Sequence, residues 1–146
     1  MSLPKEAWRF GVIGFVGFLV DAGVLSSLVR AADWGLYESR ALSFGLAVTA
    51  TWYLNRRYTF RHRASEDRAR EYGRYLAIQT LGALINLAVY VGVIAALPAL
   101  ATTPVLPLAA GSVLAMGFNF AASRGYAFVR RPVSSPANTR SESRVI

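Results

Sequence analysis

Residues 75–123 read YLAIQTLGALINLAVYVGVIAALPALATTPVLPLAAGSVLAMGFNFAAS, and this stretch includes no charged side chain. An α-helix rises about 1.5 Å per residue, so roughly 20 apolar residues cross the roughly 30 Å hydrocarbon core of a bilayer. The stretch is too long for one crossing and suits two crossings with a tight connection. Proline removes a backbone donor and disfavours helix in the residue before it, so Pro98, Pro104 and Pro107 locate that connection. The predicted spans are residues 75–97 and 105–123.

Two shorter apolar stretches precede this region. Residues 10–29 contain Asp21 as their only charge, and they exceed the apolar segment of an ordinary cleavable signal, so we predict a retained first span. Only positions 41–55 lie between Arg40 and Arg56, which is short for a crossing. If Arg40 extends outward to the interface, residues 37–55 form a second span. The same stretch also suits a buried helix or a re-entrant segment.

The composition favours an all-α integral membrane protein. Hydrophobic residues make up 54% of the 146-residue chain and charged residues only 16%, whereas a soluble domain carries about 25% charged residues. Cysteine is absent, which excludes disulfides, thiolate metal sites and cysteine nucleophiles. His62 is the only histidine, so a multi-histidine metal site is excluded as well. We therefore expect no cofactor and no metal.

The distribution of charge predicts four crossings. Of the 16 Lys and Arg residues, 14 lie in residues 1–9, 56–74 and 124–146. Residues 30–40 have no net charge, and residues 98–104 have no charged side chain. Cationic residues concentrate on the cytoplasmic side of membrane proteins, so four spans place both termini in the cytoplasm.

The basic segments outside the spans have two further consequences. Residues 132–146 lack an apolar pattern, so we predict a disordered basic cytoplasmic tail after a membrane domain at 1–131. The connection 56–74 carries seven arginines between two spans. This position favours membrane lipids, and no nucleic acid, as its partner.

The two halves of the chain repeat each other. Arg9-Phe10, Gly17 and Asp21 return at one constant spacing as Arg74-Tyr75, Gly82 and Asn86. At a slightly longer spacing, NRRYTF at 55–60 returns as SRGYAF at 123–128. Each half begins on the same side of the membrane. The sequence therefore predicts two parallel two-helix repeats related by a pseudo-two-fold axis along the membrane normal.

This pattern resembles the GtrA-like family over about residues 8–131. The resemblance is carried by Arg9-Phe10, Gly14, Gly17, Asp21, WYLNRRYTF at 52–60, Asn86, Asn119-Phe120 and RGYAF at 124–128. Tyr58 and Tyr126 stand where the family often has Trp. The resemblance implies translocation of a polyprenyl-phosphate-linked monosaccharide across the bacterial inner membrane, for surface polysaccharide synthesis or modification.

Polar residues inside the spans are candidates for a translocation seam. A carboxylate near the bilayer centre costs about 2.5–3.5 kcal/mol on insertion scales, which makes Asp21 a functional candidate. The predicted seam contains Asp21, Asn55, Gln79, Asn86 and Asn119. The alternative is that these side chains only join helices, with Asp21 bonded to Asn86 or to a backbone group.

Four arginines are candidates for binding the lipid phosphate. Guanidinium groups suit bidentate phosphate contacts, and an isoprenoid phosphate needs such a clamp at the interface. The predicted phosphate-binding residues are Arg9, Arg56, Arg57 and Arg124. Arg56 and Arg124 occupy repeated positions. The positive-inside distribution alone also explains these charges.

Three functions remain open from the sequence. We expect a non-enzymatic carrier that works as a homodimer or with a membrane glycosyltransferase, because four helices enclose little volume. One alternative is a membrane anchor for a glycosyltransferase, and another is a small proton-coupled exporter that uses Asp21. An enzyme is not expected, because Glu66-Asp67 is the only adjacent acidic pair and lies in a charged connection.

Overall fold

A computed structural model of the protein describes residues 2–31, 34–103 and 105–129, and this part of the chain is helical except for short connections, of which 60–67 is the longest. The four α-helices are α1 (Leu3–Ala31), α2 (Leu36–Leu54), α3 (Arg68–Ala96) and α4 (Val105–Ala122). The prediction of an all-α protein is confirmed for the described residues. The tail predicted at 132–146 lies outside them.

Short turns of other helix types follow three of these helices. Helix α2 continues into the π-helical turn Asn55–Thr59, and α4 continues into the π-helical turn Ser123–Ala127. A 3-10 turn, Pro98–Thr102, links α3 to α4 and begins at the predicted proline break. Helix α3 starts earlier than the apolar stretch, because the Asp67 side chain accepts a hydrogen bond from the Arg70 backbone N–H at 3.0 Å and caps the helix.

Three helices in the described part of the chain are long and apolar enough to cross a membrane. They comprise residues Leu3–Arg30, Arg68–Ala96 and Val105–Ala127. Helix α2, with 19 residues, does not belong to this set, since Glu38 and Arg40 lie in its first turns. The chain is thus a multi-pass membrane protein.

The helices form two antiparallel hairpins, α1 with α2 and α3 with α4. Small residues allow the close approach within each hairpin. A Cβ on Gly17 would collide with Thr51, and one on Gly82 would collide with the Asn119 amide. These two contacts join equivalent positions of the repeat, so both hairpins pack with the same register.

The hairpins meet at the end of the molecule that carries Arg9, Arg56, Arg74 and Arg124, here called the basic end. Five rings pack there into an aromatic core: Phe10, Phe60, Tyr75, Phe120 and Phe128. Phe60 and Phe128 stack with ring centroids 4.7 Å apart and an interplanar angle of 26°. These two residues end the repeated motifs, so equivalent positions of the two halves touch each other.

Candidate functional site

A cavity of about 520 Å³ lies between the two hairpins and is lined by all four helices. All five predicted seam residues, Asp21, Asn55, Gln79, Asn86 and Asn119, line this cavity, and we call it the polar cavity after them, although glycine and apolar side chains form most of its wall. Arg40, Thr51, Tyr75 and Ser112 contribute further polar groups to its wall. From Phe10 to Asp21 the cavity extends about 16 Å along α1, given the rise of a helix.

The cavity is closed toward the basic end by a buried polar pair. The Asn55 amide donates to the Tyr75 hydroxyl at 3.1 Å, and both side chains are almost fully buried. Phe10 of the aromatic core packs beside them. This floor therefore separates the cavity from the basic surface.

The middle of the cavity carries amide groups with unused hydrogen-bonding capacity. Asn119 Nδ2 donates to Gln79 Oε1 at 3.1 Å. Four buried amide atoms lack a protein partner: Asn55 Oδ1, Gln79 Nε2, Asn86 Oδ1 and Asn119 Oδ1. Buried polar atoms are nearly always satisfied by protein, water or ligand. These atoms are buried, and two of them, Asn86 Oδ1 and Asn119 Oδ1, lie against Gly111 and Gly82 of the facing helix. They bind a hydroxyl-rich molecule only when the helices move apart.

Asp21 lies at the far end of the cavity, where its carboxylate binds two residues of α2. Oδ2 accepts from the Arg40 guanidinium, and Oδ1 accepts from the Ser43 hydroxyl at 2.6 Å. The alternative partner Asn86 does not bind Asp21, because Asn86 packs against Gly111 of α4 instead. Ser43 and Arg40 lie nearer to the start of α2 than the level of Asp21, and both reach its carboxylate.

Arg40 is a cavity residue that sequence reasoning assigned to the interface. Spacing along the chain does not reveal it. Since α1 ends at Ala31 and α2 begins at Leu36, an even hairpin places residue 21 opposite about residue 46, and Arg40 reaches Asp21 only through its long side chain.

At the basic end, Arg56 binds a buried carboxylate. Its guanidinium donates to Glu71 Oε1 at 2.6 Å and to the Ser65 carbonyl at 2.8 Å. Glu71 is only 1% exposed, and it also accepts from Trp52 Nε1 at 3.0 Å and the Ser65 N–H at 2.6 Å. Removal of a charge from water is compensated here by several donors.

Arg124 makes the equivalent contact from the other hairpin. Its Nε donates to Glu6 Oε2 at 2.7 Å, and His62 Nε2 lies 3.2 Å from Glu6 Oε1. Glu6 is 1% exposed. Glu6 and Glu71 occupy equivalent positions of the repeat, and so do Arg56 and Arg124. Each hairpin therefore supplies the carboxylate for the arginine of the other, and we call Glu6–Arg124 and Glu71–Arg56 the reciprocal pairs.

The four predicted phosphate-binding arginines are thus placed differently from one another. Arg56 and Arg124 are engaged in the reciprocal pairs. Arg9 donates to the Tyr58 carbonyl at 3.0 Å, and Arg57 is exposed on the π-helical turn. Sequence reasoning missed Glu6 and Glu71, although each precedes its repeated Arg9 or Arg74 by the same interval, which was a readable signal.

These observations define a multi-pass α-helical membrane protein with a polar cavity between two hairpins. The chain belongs to the GtrA/DPMS transmembrane domain family, whose pattern it matches over residues 9–128. The family resemblance drawn from the motifs is therefore confirmed. No curated protein gives a significant sequence match to the chain.

Proposed function

We propose that this protein moves a polyprenyl-phosphate-linked monosaccharide across the bacterial inner membrane, for synthesis or modification of a cell-surface polysaccharide. Membership of the GtrA/DPMS transmembrane domain family supports a role with polyprenyl-phosphate sugars. The observation that carries the proposal is the polar cavity between the hairpins, which is lined by the five seam residues and by Arg40, Thr51 and Ser112. Sugar hydroxyls both donate and accept, so they match this wall.

The proposed topology has four crossings, with both termini in the cytoplasm. Helix α2 lies antiparallel along α1, as the contacts of Asp21 with Ser43 and of Arg9 with Tyr58 indicate. Since α1 is long enough to cross the membrane, its partner passes through the same layer. At 1.5 Å per residue the 19 residues of α2 reach about 28 Å.

The proposed arrangement of the halves is a parallel repeat with a pseudo-two-fold axis along the membrane normal. The reciprocal pairs and the stacked Phe60 and Phe128 support it, because they join positions that the repeat relates. Such an axis passes through the aromatic core and continues into the polar cavity.

In the proposed carrier the sugar enters the polar cavity while the prenyl tail stays in lipid. Arg57, which is exposed on the π-helical turn, first meets the lipid phosphate at the cytoplasmic rim, because Arg56 and Arg124 hold buried carboxylates. A phosphate reaches the latter two only by competing with Glu71 and Glu6. The protein itself performs no chemical step and works as a homodimer or with a membrane glycosyltransferase.

Transbilayer movement in liposomes tests this function. A short-chain polyprenyl-phosphate hexose is followed with wild-type protein and with the double variant Gln79→Leu/Asn119→Leu. The double variant replaces a hydrogen-bonded pair by apolar groups of similar size, so the fold is retained. We expect the rate to fall roughly tenfold or more. Thr80→Val, on the exposed face of α3, is the matched control and leaves the rate unchanged.

The outcomes separate the three functions. Loss of lipid movement in the double variant, with an unchanged rate in Thr80→Val, supports a carrier whose site lies in the cavity. Absence of movement by correctly oriented wild-type protein, with retained binding of a glycosyltransferase, supports a membrane anchor. Export of cationic compounds that Asp21→Asn abolishes, with no lipid movement, supports the exporter.

A further inference from the structure

Arg40 is a cation that lines the polar cavity, at the end opposite the floor. Its side chain is 55% exposed, whereas its partner Asp21 is 17% exposed. A guanidinium carries five N–H donors, and one of them meets the Asp21 carboxylate. The exposed side chain leaves further donors available to a ligand in the cavity.

The second hairpin provides an internal control for the Asp21–Arg40 pair. At the equivalent positions it has Asn86 for Asp21, Leu108 for Arg40 and Gly111 for Ser43. There the helices close by direct packing of Asn86 on Gly111. Antiparallel packing of such a hairpin therefore does not require an ion pair. The Asp21–Arg40 ion pair is therefore present in the first hairpin only, whereas the second hairpin has uncharged residues at the equivalent positions of the cavity.

An ion pair between two helices of a membrane hairpin is unusual. Ionisable residues within spans are rare, and they mark substrate pathways or compensate one another. Asp21 is fixed on its other side by Ser43, so the carboxylate holds Arg40 against the cavity wall. The half-exposed guanidinium is presented at a fixed place, with its charge reachable from the cavity.

We propose that Arg40 is the phosphate-binding residue of the polar cavity, with Asp21 as its positioning residue. This inference rests on the proposed function, because it gives the orientation of the sugar lipid in the same site. The phosphate binds Arg40 at the end distant from the floor, and the hexose faces the amides of Asn55, Gln79 and Asn119. The guanidinium suits a phosphate because its planar fork matches two phosphate oxygens.

Ligand binding to protein in nanodiscs tests the assignment. The labelled probes are farnesyl-phosphate hexose, farnesyl phosphate, glucose 1-phosphate and octyl glucoside. The variants are Arg40→Gln, which still donates to Asp21, and Arg40→Lys, which keeps the charge without the fork. Arg30→Gln, at the exposed end of α1 and outside the cavity lining, is the matched control for loss of one cation.

We expect Arg40→Gln to weaken binding of both farnesyl phosphates roughly tenfold or more, and Arg40→Lys to weaken it less. Octyl glucoside binding stays unchanged in both variants. Binding of glucose 1-phosphate with the same Arg40 dependence identifies a phosphate site that needs no lipid tail. If glucose 1-phosphate does not bind, the site requires a phosphate that is linked to a lipid tail.

Two results would overturn the assignment of Arg40. One is wild-type affinity of Arg40→Gln for the farnesyl phosphates, and the other is an equal loss of octyl glucoside, which indicates collapse of the cavity. Should Arg40→Gln fail to fold, Arg40→Met, which removes the charge and keeps an unbranched side chain, replaces it, and wild-type affinity of Arg40→Met for the phosphate probes overturns the assignment. Failure of wild-type protein to bind any of the probes contradicts the proposed function instead. The two failures are therefore distinguishable.

Discussion

Gly111 shows how closely single residues control the approach of two helices. A Cβ at this position would lie 2.7 Å from the Asn86 backbone carbonyl, which cannot rotate away. We expect Gly111→Ala to force α3 and α4 apart and to lower the free energy of unfolding by about 1–3 kcal/mol. Thermal unfolding in one detergent measures this effect.

Gly92→Ala on the same hairpin is the matched control. A Cβ there meets no heavy atom within 4 Å, so the change keeps or raises the unfolding temperature. Equal stability of Gly111→Ala and Gly92→Ala would show that the two helices can separate at no cost.

At the residue scale, the sequence predicted which polar residues matter better than it predicted the side chains that they contact. Asp21 and Asn86 stand out from sequence because a polar group among apolar residues is costly in a membrane. Their partners depend on the register of each hairpin, which hydropathy does not report. For this reason Arg40 was assigned to the interface, although its guanidinium lies at the cavity.

At the element scale, the proposed crossing of the membrane by α2 predicts on which side each end of the helix can be labelled. If α2 crosses the membrane, residues 37 and 61 lie on opposite sides. Tyr37 is 87% exposed at the start of α2, and Arg61 is exposed in the connection that follows the helix. We expect an impermeant maleimide to label Tyr37→Cys in intact cells and Arg61→Cys only after permeabilisation. The chain has no cysteine of its own, so each variant carries one thiol.

Labelling of both cysteines from the outside would make α2 a re-entrant helix. The wild-type chain, without thiols, is the background control. A third variant, Thr103→Cys after the 3-10 turn, is expected to label from the outside and reports that the second hairpin is oriented as proposed.

The lengths of the apolar stretches predicted the presence of the helices well, but they predicted the first and last residues of the helices less well. Uncharged stretches mark where a helix is buried in lipid, but α1 and α3 continue past them into the basic end. Helix α3 extends because Asp67 caps it, and α2 extends through a π-helical turn in which the Phe60 N–H donates to the Asn55 carbonyl at 2.7 Å. Such features depend on local hydrogen bonds rather than on hydropathy.

At the scale of the whole molecule, the reciprocal pairs join the two hairpins. Glu71→Gln leaves Arg56 without its anionic partner in a buried site, so we expect a loss of about 3 kcal/mol in the free energy of unfolding. Glu6→Gln costs less, because the side chains of both its partners, Arg124 and His62, are more exposed than that of Arg56. Thermal unfolding of both variants measures which of the two substitutions destabilises the protein more. Glu66→Gln, on the exposed connection, is the control, and equal stability of all three contradicts the structural role.

The sequence repeat did not predict the reciprocal pairs. The repeated motifs predicted which positions are equivalent, and Arg56 and Arg124 were recognised as such a pair. Equivalence alone does not say that the halves exchange partners, since a carboxylate could bind the arginine of its own hairpin. The structure supplies this information, because it packs Phe60 on Phe128 and places each glutamate against the arginine of the opposite half.

The contacts of the hairpins at the basic end lead to a prediction about transport. Thr49 Oγ1 of α2 and the Tyr72 hydroxyl of α3 lie 2.9 Å apart and join the hairpins near the floor of the cavity. In the proposed carrier a sugar enters the cavity from the basic end, and we expect the hairpins to separate there and this contact to open. We expect a short bifunctional methanethiosulfonate on Thr49→Cys/Tyr72→Cys to stop lipid movement in liposomes, and a reductant to restore it. Each single-cysteine variant treated alike keeps its rate. Undiminished movement in the fully crosslinked protein would mean that the lipid does not pass between the hairpins at this end, and would place its route on the lipid-facing surface instead.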